Sequence, residues 1–508
     1  MGEMVREFVL MTKIIFPFLS GLLLFLSFPP FNLYPLAFVG LVPFLFSLER
    51  CKKGRGAFFC GFLFGITYFT LLLYWVRIYH FLALPFVVAI LSLYPAIFAL
   101  IYSKVRKPSL IFAPILWTSL EYLSSLGPLG FPWGALAYSQ TKNLALIQMA
   151  EFTGIFGVSF LVVLLNSALL RLIERQEKNL ATENTETTEK EFLSSLSSYL
   201  SVNSVAYFSV FLLLACYLYG FWTLSKPLPP KDLKVAVVQG NFDTDLNWGE
   251  IKEEIYRDLA RLTREAEDTS PSLTVWTETV VSDYLAIRQD LVEEFSKLTR
   301  GSLLAGAHHF KGERYYNSAF LISEGKILGR YDKIHLVPFG EFIPLESLFP
   351  SLRRLLPECG NFSAGDEFTL LNLEKHKFAI LICFEDFFGS LSRRFVKKGA
   401  DFLVNITNDD WSKSKTSHLQ HLCGSIFRAI ENRVYLVRAG NTGVSAIIDP
   451  YGRIEKRLKI YTQGTLAGKI SKGTKKTFYT KYGDLFSLIC LCLTLIIPLI
   501  AGLNKRKG

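Results

Sequence analysis

The sequence predicts a membrane protein of eight transmembrane α-helices that carries one water-soluble α/β domain. Three observations predict it. Half of the 508 residues are hydrophobic, 44 residues are Phe and mean hydropathy is +0.31, more apolar surface than a soluble core readily hides. Apolar runs of helix-spanning character recur through residues 1–226 and once more near the C-terminus. Between them, residues 231–475 alternate strand-like and helix-like patterns, the mark of a layered α/β domain.

The first two spans are read at about 12–28 and 34–48, divided by Phe28-Pro29-Pro30-Phe31 and each short for a ~30 Å hydrocarbon core. Arg6 and Lys13 flank the first run as in a signal peptide, but no small-residue cleavage site follows, so it stays an uncleaved helix. Arg50, Lys52, Lys53 and Arg55 form a dense positive loop. Spans at about 57–76 and 82–102 come next, then Lys104, Arg106 and Lys107, then a span at about 109–125. Residues 127–134 are too rich in Gly and Pro for helix and read as an interfacial loop, with Trp133 and Tyr138 at headgroup depth. A span at about 150–170 leads into the polar, repetitive stretch 174–204 around Glu183, which reads as a flexible loop. Span seven covers about 205–224 and is broken by Pro227, Pro229 and Pro230. Span eight, about 484–503, ends in Lys505, Arg506 and Lys507. If the spans alternate, the positive loops share one side, and the positive-inside rule makes that side the cytoplasm. The chain therefore divides into 1–226 with helices one to seven, an extracytoplasmic domain at 231–475, and helix eight with a basic tail at 480–508.

The formal charge of +11 clusters beside apolar spans, which explains it without a nucleic-acid partner. Eight cysteines show no paired zinc-type spacing, and only Cys359, Cys383 and Cys423 fall in the water-soluble region; a Cys359–Cys423 bridge stays open. In that region Leu233–Gln239 reads as a strand, 249–267 as a charged amphipathic helix, 273–276 as a strand and 284–299 as a helix. Strands follow at 302–306, 319–323 and 378–382, a helix at 393–398, a strand at 402–406, a helix at 418–432, and strands at 435–439 and 445–449.

Three segments of the domain carry unusual chemistry. The first is Val275-Trp-Thr-Glu-Thr279, a carboxylate just after an apolar strand. The second is the run from Tyr331 to Pro344, with Lys333, His335 and Glu341 among Pro and Gly. The third is Lys377 to Asp386, where a buried strand ends at Cys383 and Glu385 and Asp386 follow. Each alone has a plain structural reading: a solvated strand end, a surface cation, an inert core thiol. Together they suit covalent catalysis. An ordinary thiol, with pKa near ~8.5, needs a base to attack at neutral pH. Glu278 is the candidate base, and a carboxylate needs a raised pKa for that work. Lys333 supplies a fixed positive charge for an oxyanion. Glu341 and Glu385 are supporting candidates, one of them to orient Lys333, with an ion pair to a nearby Lys or Arg as the plain reading of Glu385. His335 reads as a structural hydrogen-bonding residue. His308 and His309 are adjacent rather than helically spaced, and His418 and His421 lack a third ligand, so no metal site is predicted.

The order Glu278, Lys333, Cys383 in one α/β domain resembles the nitrilase or carbon–nitrogen hydrolase superfamily, which places such a triad on an α-β-β-α sandwich. Nearly the whole chain is similar to the apolipoprotein N-acyltransferase family. The resemblance lies in Val238-Gln-Gly-Asn241, Asn317-Ser-Ala319, the Lys333 to Pro344 run, Ile382-Cys-Phe-Glu385 and Thr407-Asn-Asp409, and in Gly130-Phe-Pro-Trp-Gly134 with Gln140 and Gln148. It implies transfer of the sn-1 acyl chain of a membrane phospholipid to the N-terminal amine of an S-diacylglyceryl-cysteine apolipoprotein, without cofactor. It also implies a bacterial inner-membrane location, a periplasmic catalytic domain and a monomer. Trp248, Phe339, Phe342 and residues 345–356 are candidates for an apolar loop that admits the lipid chains, or equally for a loop packed on the domain's own core. Departures from the family pattern are Phe384 where Tyr is common, Ser-Lys-Ser-Lys after Trp411, and no Arg after Glu121-Tyr-Leu-Ser124. The rival reading is a membrane-anchored carbon–nitrogen hydrolase that discharges its thioester with water, since the same three residues serve hydrolases.

Overall fold

The structure, a computed structural model, describes residues 11–506 except 52–53, 79–82, 106–109, 183–188, 358 and 475. Arg6, Lys52, Lys53, Arg106, Lys107, Glu183 and Lys507 lie outside the described residues. The chain separates into two compact units. One comprises Met1–Ser125, Gly134–Ser225 and Asp484–Gly508; the other comprises Leu126–Trp133 and Lys226–Gly483.

The first unit is helical. Among the described residues, Gly54–Leu72, Ala83–Lys104, Ile155–Gln176 and Ala206–Leu224 are long and apolar enough to cross a bilayer. Met11–Ser27, Tyr34–Glu49, Leu144–Thr153 and Leu485–Ile497 are shorter apolar helices, and the run expected at 109–125 is a helix over Phe112–Ser124. Helices Gly54–Leu72 and Ala83–Lys104 cross closely at Gly61 and Gly65. A Cβ on Gly61 would sit 2.3 Å from the Pro95 carbonyl oxygen, so the small-xxx-small spacing is what lets the backbones touch. Buried Asn166 ties this unit together, accepting from Leu41 N at 2.8 Å and donating to Ala37 O and Val162 O. One expectation is corrected. The stretch 174–204 is not an irregular loop: one helix runs to Thr182 and the next begins at Glu189, as its Glu, Lys, Leu and Ala content favours. Tyr138 is buried in protein, and Trp133, in the second unit, is buried too.

The second unit holds two six-stranded sheets. The strands are β1 (Leu233–Gln239), β2 (Leu273–Val275), β3 (Ser302–Lys311), β4 (Arg314–Ser323), β5 (Lys326–Asp332), β6 (Leu371–Leu373), β7 (His376–Ile382), β8 (Phe402–Thr407), β9 (Tyr435–Gly440), β10 (Ala446–Ile448), β11 (Ile454–Arg457) and β12 (Gly464–Ile470). Their orders are β12-β1-β2-β3-β4-β5 and β11-β10-β9-β8-β7-β6. Strands β1 to β3 run parallel, as do β7 to β9, and the remaining pairs are antiparallel. Helices Lys252–Glu267 and Gln289–Ser296 lay Ile255, Leu259, Leu262 and Phe295 on Trp276, Phe320 and Ile322 of the first sheet. Each such side chain contributes roughly 1.5–3 kcal/mol by leaving water. Helices Gly389–Lys398 and Lys415–Asn432 cover β7 and β9 of the second sheet, burying Phe395, Phe427 and Ile430. The bare faces of the sheets meet closely, since a Cβ on Gly468 would lie 2.5 Å from Ile447 Cδ1. The observed layering is helix, sheet, sheet, helix.

Within this frame the predicted helix 284–299 is a 3-10 turn at Leu285–Ile287 followed by a helix from Gln289 to Ser296. Strands β5, β6, β11 and β12 escaped the sequence reading. Cys359 and Cys423 are both free thiols.

Candidate active site

Glu278 follows β2 in a turn where Thr279 takes a left-handed φ of 48°. Strand β3 passes directly beneath. A Cβ on Gly306 would lie 2.4 Å from Thr277 O and 2.8 Å from Glu278 Cα, so only glycine fits there. Lys333 leaves the end of β5, and its amide donates to Asn317 O at 2.8 Å. Its ammonium, with no exposed surface, lies 2.9 Å from Glu341 Oε1 and 3.5 Å from Glu278 Oε1. Asn317 Nδ2 bridges the same two carboxylates at 2.8 and 2.9 Å. The second Glu278 oxygen accepts from Asn408 N at 2.7 Å.

Cys383 leaves β7 with φ 53°, left-handed for a residue with a Cβ, a conformation that costs on the order of 1–3 kcal/mol unless its surroundings hold it. Two side chains hold its carbonyl: Asn405 Nδ2 donates to it at 3.1 Å and His421 Nε2 at 3.2 Å. Glu385 closes the turn. It accepts from the amides of Ile382, Ile334 and His335 and from the Tyr331 hydroxyl, all at 2.8–2.9 Å. Glu385 thus joins the Cys383 turn to the Lys333 segment through neutral donors, not through the Lys or Arg ion pair that was the plain reading.

Burial raises the Glu278 carboxyl above its ordinary range, Glu341 raises it further, and Lys333 opposes both. Burial also raises the Cys383 thiol, with Glu278 adding to the rise and Lys333 countering it. The thiol therefore rests neutral. Burial alone would lower Lys333, but Glu341 and Glu278 outweigh it and hold the ammonium charged. Burial pushes Glu385 up to about 7 against its amide donors. A buried carboxyl of raised pKa, a fixed cation and a protonated thiol in one place are what base-assisted nucleophilic acyl transfer needs.

Residues 20–168 match the model of the apolipoprotein N-acyltransferase N-terminal domain, and residues 234–477 match the carbon-nitrogen hydrolase model. The apolipoprotein N-acyltransferase of Geobacter metallireducens is 37% identical over 511 residues, covering 96% of this chain and 95% of that protein. The chain belongs to the apolipoprotein N-acyltransferase family. Apolipoprotein N-acyltransferase 1 of Treponema denticola is 30% identical and covers 99% of both chains. Among solved structures, the nitrilase-superfamily member Nit3 of Saccharomyces cerevisiae matches 48% of this chain and 92% of its own, at 18% identity and a TM-score of 0.36.

Of the residues singled out from sequence in this N-acyltransferase family member, Glu278, Lys333, Glu341, Cys383 and Glu385 share one connected arrangement. Trp248 occupies another loop, while Phe339 and Phe342 flank Glu341. Trp248 is half-buried against Phe242 and donates to Asp243 O at 2.7 Å. Phe339 and Phe342 close a tight turn, Phe339 N donating to Phe342 O. The His335 ring does not hydrogen-bond through Nε2 but lies 3.6 Å from the Phe388 ring centre, and burial, with Lys333, pushes it down to about 4. Phe384, the departure from the common Tyr, packs among Phe131, Trp133, Phe387 and Phe388. The 126–133 segment thus reaches the neighbour of Cys383, and Trp133 Nε1 donates to Gln420 Oε1 at 2.9 Å.

Sequence reasoning gave no role to Asn317, Asn405, Asp409, His421 or Arg438. Asn317 and Asp409 stood in quoted motifs. Arg438 carried a signal of its own, a charge inside a strand whose every residue is buried. His421 has company after all, since donor atoms of Cys383, Asp409 and His421 lie within 4.8 Å of one another. Yet one imidazole nitrogen faces Asp409 Oδ1 at 2.6 Å and the other the Cys383 carbonyl. Both act as donors in the protonated ring, which leaves no lone pair for a metal.

Proposed function

We propose that Cys383 carries the acyl group as a thioester while the enzyme moves a fatty acyl chain from a membrane phospholipid to the N-terminal amine of an S-diacylglyceryl-cysteine apolipoprotein. Glu278 takes the thiol proton as sulfur attacks the ester carbonyl, and Lys333 stabilises the oxyanion. The ester C–O bond breaks, the leaving oxygen takes the proton from Glu278, and a lysophospholipid departs. The amine then attacks the thioester, Glu278 accepts a proton from nitrogen, and the C–S bond breaks to return the thiol. Ping-pong kinetics follow. The observation that carries this reading is Lys333, fully buried and held between Glu278 and Glu341, beside a strained strand-end Cys383.

Residues 231–475 are the catalytic domain in this reading, facing the periplasm from the bacterial inner membrane, and the chain works as a monomer with eight spans. Met11–Ser27, Tyr34–Glu49, Phe112–Ser124 and Leu485–Ile497 supply the spans beyond the four long ones. Trp248, Phe339 and Phe342 guide the lipid chains together with Leu345, Leu348, Phe349 and Leu355, whose exposure suits contact with lipid. Intact-protein mass spectrometry after incubation with phospholipid alone tests the core of this. An acyl adduct is expected on Cys383, discharged by a diacylglyceryl peptide with a free amine. Full transfer activity in Cys383→Ala would end the assignment, and discharge by water as fast as by peptide would make the enzyme a hydrolase.

A further inference from the structure

The nucleophile sits in a backbone conformation that a cysteine does not adopt on its own, and a second buried charge network surrounds its carbonyl. His421 Nδ1 meets Asp409 Oδ1 at 2.6 Å, while Thr407 Oγ1 donates to the same oxygen at 2.9 Å. Arg438 Nη2 holds the other Asp409 oxygen at 3.1 Å. Arg438 Nη1 reaches Asn405 Oδ1 at 2.6 Å and Asp386 Oδ2 at 2.8 Å. Two chains of hydrogen bonds therefore start at Arg438 and end on the Cys383 carbonyl, one through Asn405 and one through Asp409 and His421. None of these side chains is more than 2% exposed.

We propose that His421, locked by Asp409, is a positioning residue for the nucleophile: it holds the Cys383 peptide in its left-handed conformation and so fixes where the sulfur meets the acyl carbonyl. This rests on Cys383 being the acyl carrier. His421 does not accept the thiol proton, because both its nitrogens already donate. Burial would lower its pKa, but Asp409 and Asp386 outweigh burial and Arg438 and push it up to about 9. The titratable and charged groups around the ring are Asp386 on the Cys383 turn, 3.1 Å away, Asp409 after β8, Arg438 on β9 and, on its own helix, His418, whose pKa burial lowers. Glu278 and Lys333 act on the adjacent thiol. Once the ring loses its second proton, one of the two links, to Asp409 or to the Cys383 carbonyl, must fail.

The test is the acylation half-reaction alone, because it involves no substrate amine to titrate. The full chain in mixed micelles of phosphatidylglycerol and phosphatidylethanolamine is quenched at intervals, and the Cys383 adduct is followed by intact mass. The expected rate is level from pH 7 to 8 and falls through pH 9. Asp409→Asn is expected to move that fall to lower pH, since the carboxylate that holds the imidazolium is gone. His421→Phe is expected to lose about 100-fold in the acylation rate with little change in phospholipid KM, as an ångström-scale misplacement does. His421→Gln keeps one donor, so it should recover part of the rate and show no fall near pH 9. A rate that holds through pH 10 in the unmodified chain, or an Asp409→Asn profile that does not move, overturns the proposal even if some variant fails to fold. No adduct on the unmodified chain at any pH would overturn the acyl-carrier reading itself.

Discussion

Gly306→Ala is the most direct test of how Glu278, the proposed base, is placed, because it changes one methyl and no charge. The new Cβ would lie 2.4 Å from Thr277 O, 2.6 Å from Thr279 N and 2.8 Å from Glu278 Cα. Ordinary contact begins near ~3.5 Å, so the Glu278 turn must move by about 1 Å. All three obstructing atoms are backbone, and Val281 N donates to Gly306 O at 3.1 Å, so the turn and β3 cannot part freely. Overpacking of this kind costs about 1–3 kcal/mol of stability. The displacement of a catalytic group by an ångström costs about 100-fold in rate. Thermal unfolding in detergent reads the first and the acylation rate by intact mass the second. Gly464→Ala is the control, its nearest atom being Leu458 Cδ2 at 3.9 Å, and it should leave both unchanged. A Gly306→Ala enzyme that acylates within about twofold of the unmodified chain would refute the reasoning, because a 1 Å shift of the base is expected to cost far more.

Three further outcomes are expected. Glu341→Gln removes a negative charge that raises Glu278, so the acid limb of the acylation profile should move to lower pH. Glu385→Gln puts an amide N–H against backbone N–H donors and orphans at least one of them, which should cost about 1–3 kcal/mol in thermal or denaturant unfolding. The Glu385 pKa is raised on folding, so its titration adds stability at acid pH that is lost as pH rises through about 7; the same variant should flatten that decline. Lys413, in the Ser-Lys-Ser-Lys departure, contacts Asp243, Asp245 and Asp410 and so ties the Trp248 loop to the turn after β8. Its groups are partly exposed, so Lys413→Ala should lower acylation only about twofold to fivefold, and high salt should imitate the loss in the unmodified chain.

The parts of the fold that were legible in the sequence are those written in local pattern. β7 and β8 are unbroken apolar runs, and the helix Lys252–Glu267 alternates its buried Ile255, Leu259 and Leu262 with charge. β12 was not legible, because nothing local says that a half-exposed strand near the end of the domain must pair antiparallel with β1. β5 carries Lys, Gly, Arg and Asp in seven residues and owes its place to pairing with β4. Glu278 and Cys383 stood out because a Glu or a Cys at the end of an apolar strand is conspicuous, and Lys333 because it stands with His335 and Glu341 among Pro and Gly. Asn317, Asn405 and His421 did not, since their work is to hold other groups and their partners lie 22–39 residues away in the chain. Phe384 became intelligible only when residues 126–133 were seen packed against it.

The site is divided between the two sheets. Glu278, Asn317 and Lys333 come from the first, while Cys383, Asn405, Asp409 and Arg438 come from the second. Among the bonds that cross between the halves are Asn408 N to Glu278, and the amides of Ile334 and His335 with the Tyr331 hydroxyl to Glu385. Glu278 and Lys333 therefore meet the Cys383 thiol only as well as the sheets pack. Close packing such as that of Gly468 on Ile447 becomes a condition of the chemistry as well as of stability. It follows that a side chain placed between the sheets far from Cys383 should slow acylation. Gly468→Ala is such a change, because Ile447 Cδ1 would have to retreat from 2.5 Å. Its effect should fall on the acylation rate and not on phospholipid KM, since no lipid contact is touched. A change in KM alone would show instead that the sheets hold the substrate site and leave the alignment of base and nucleophile intact.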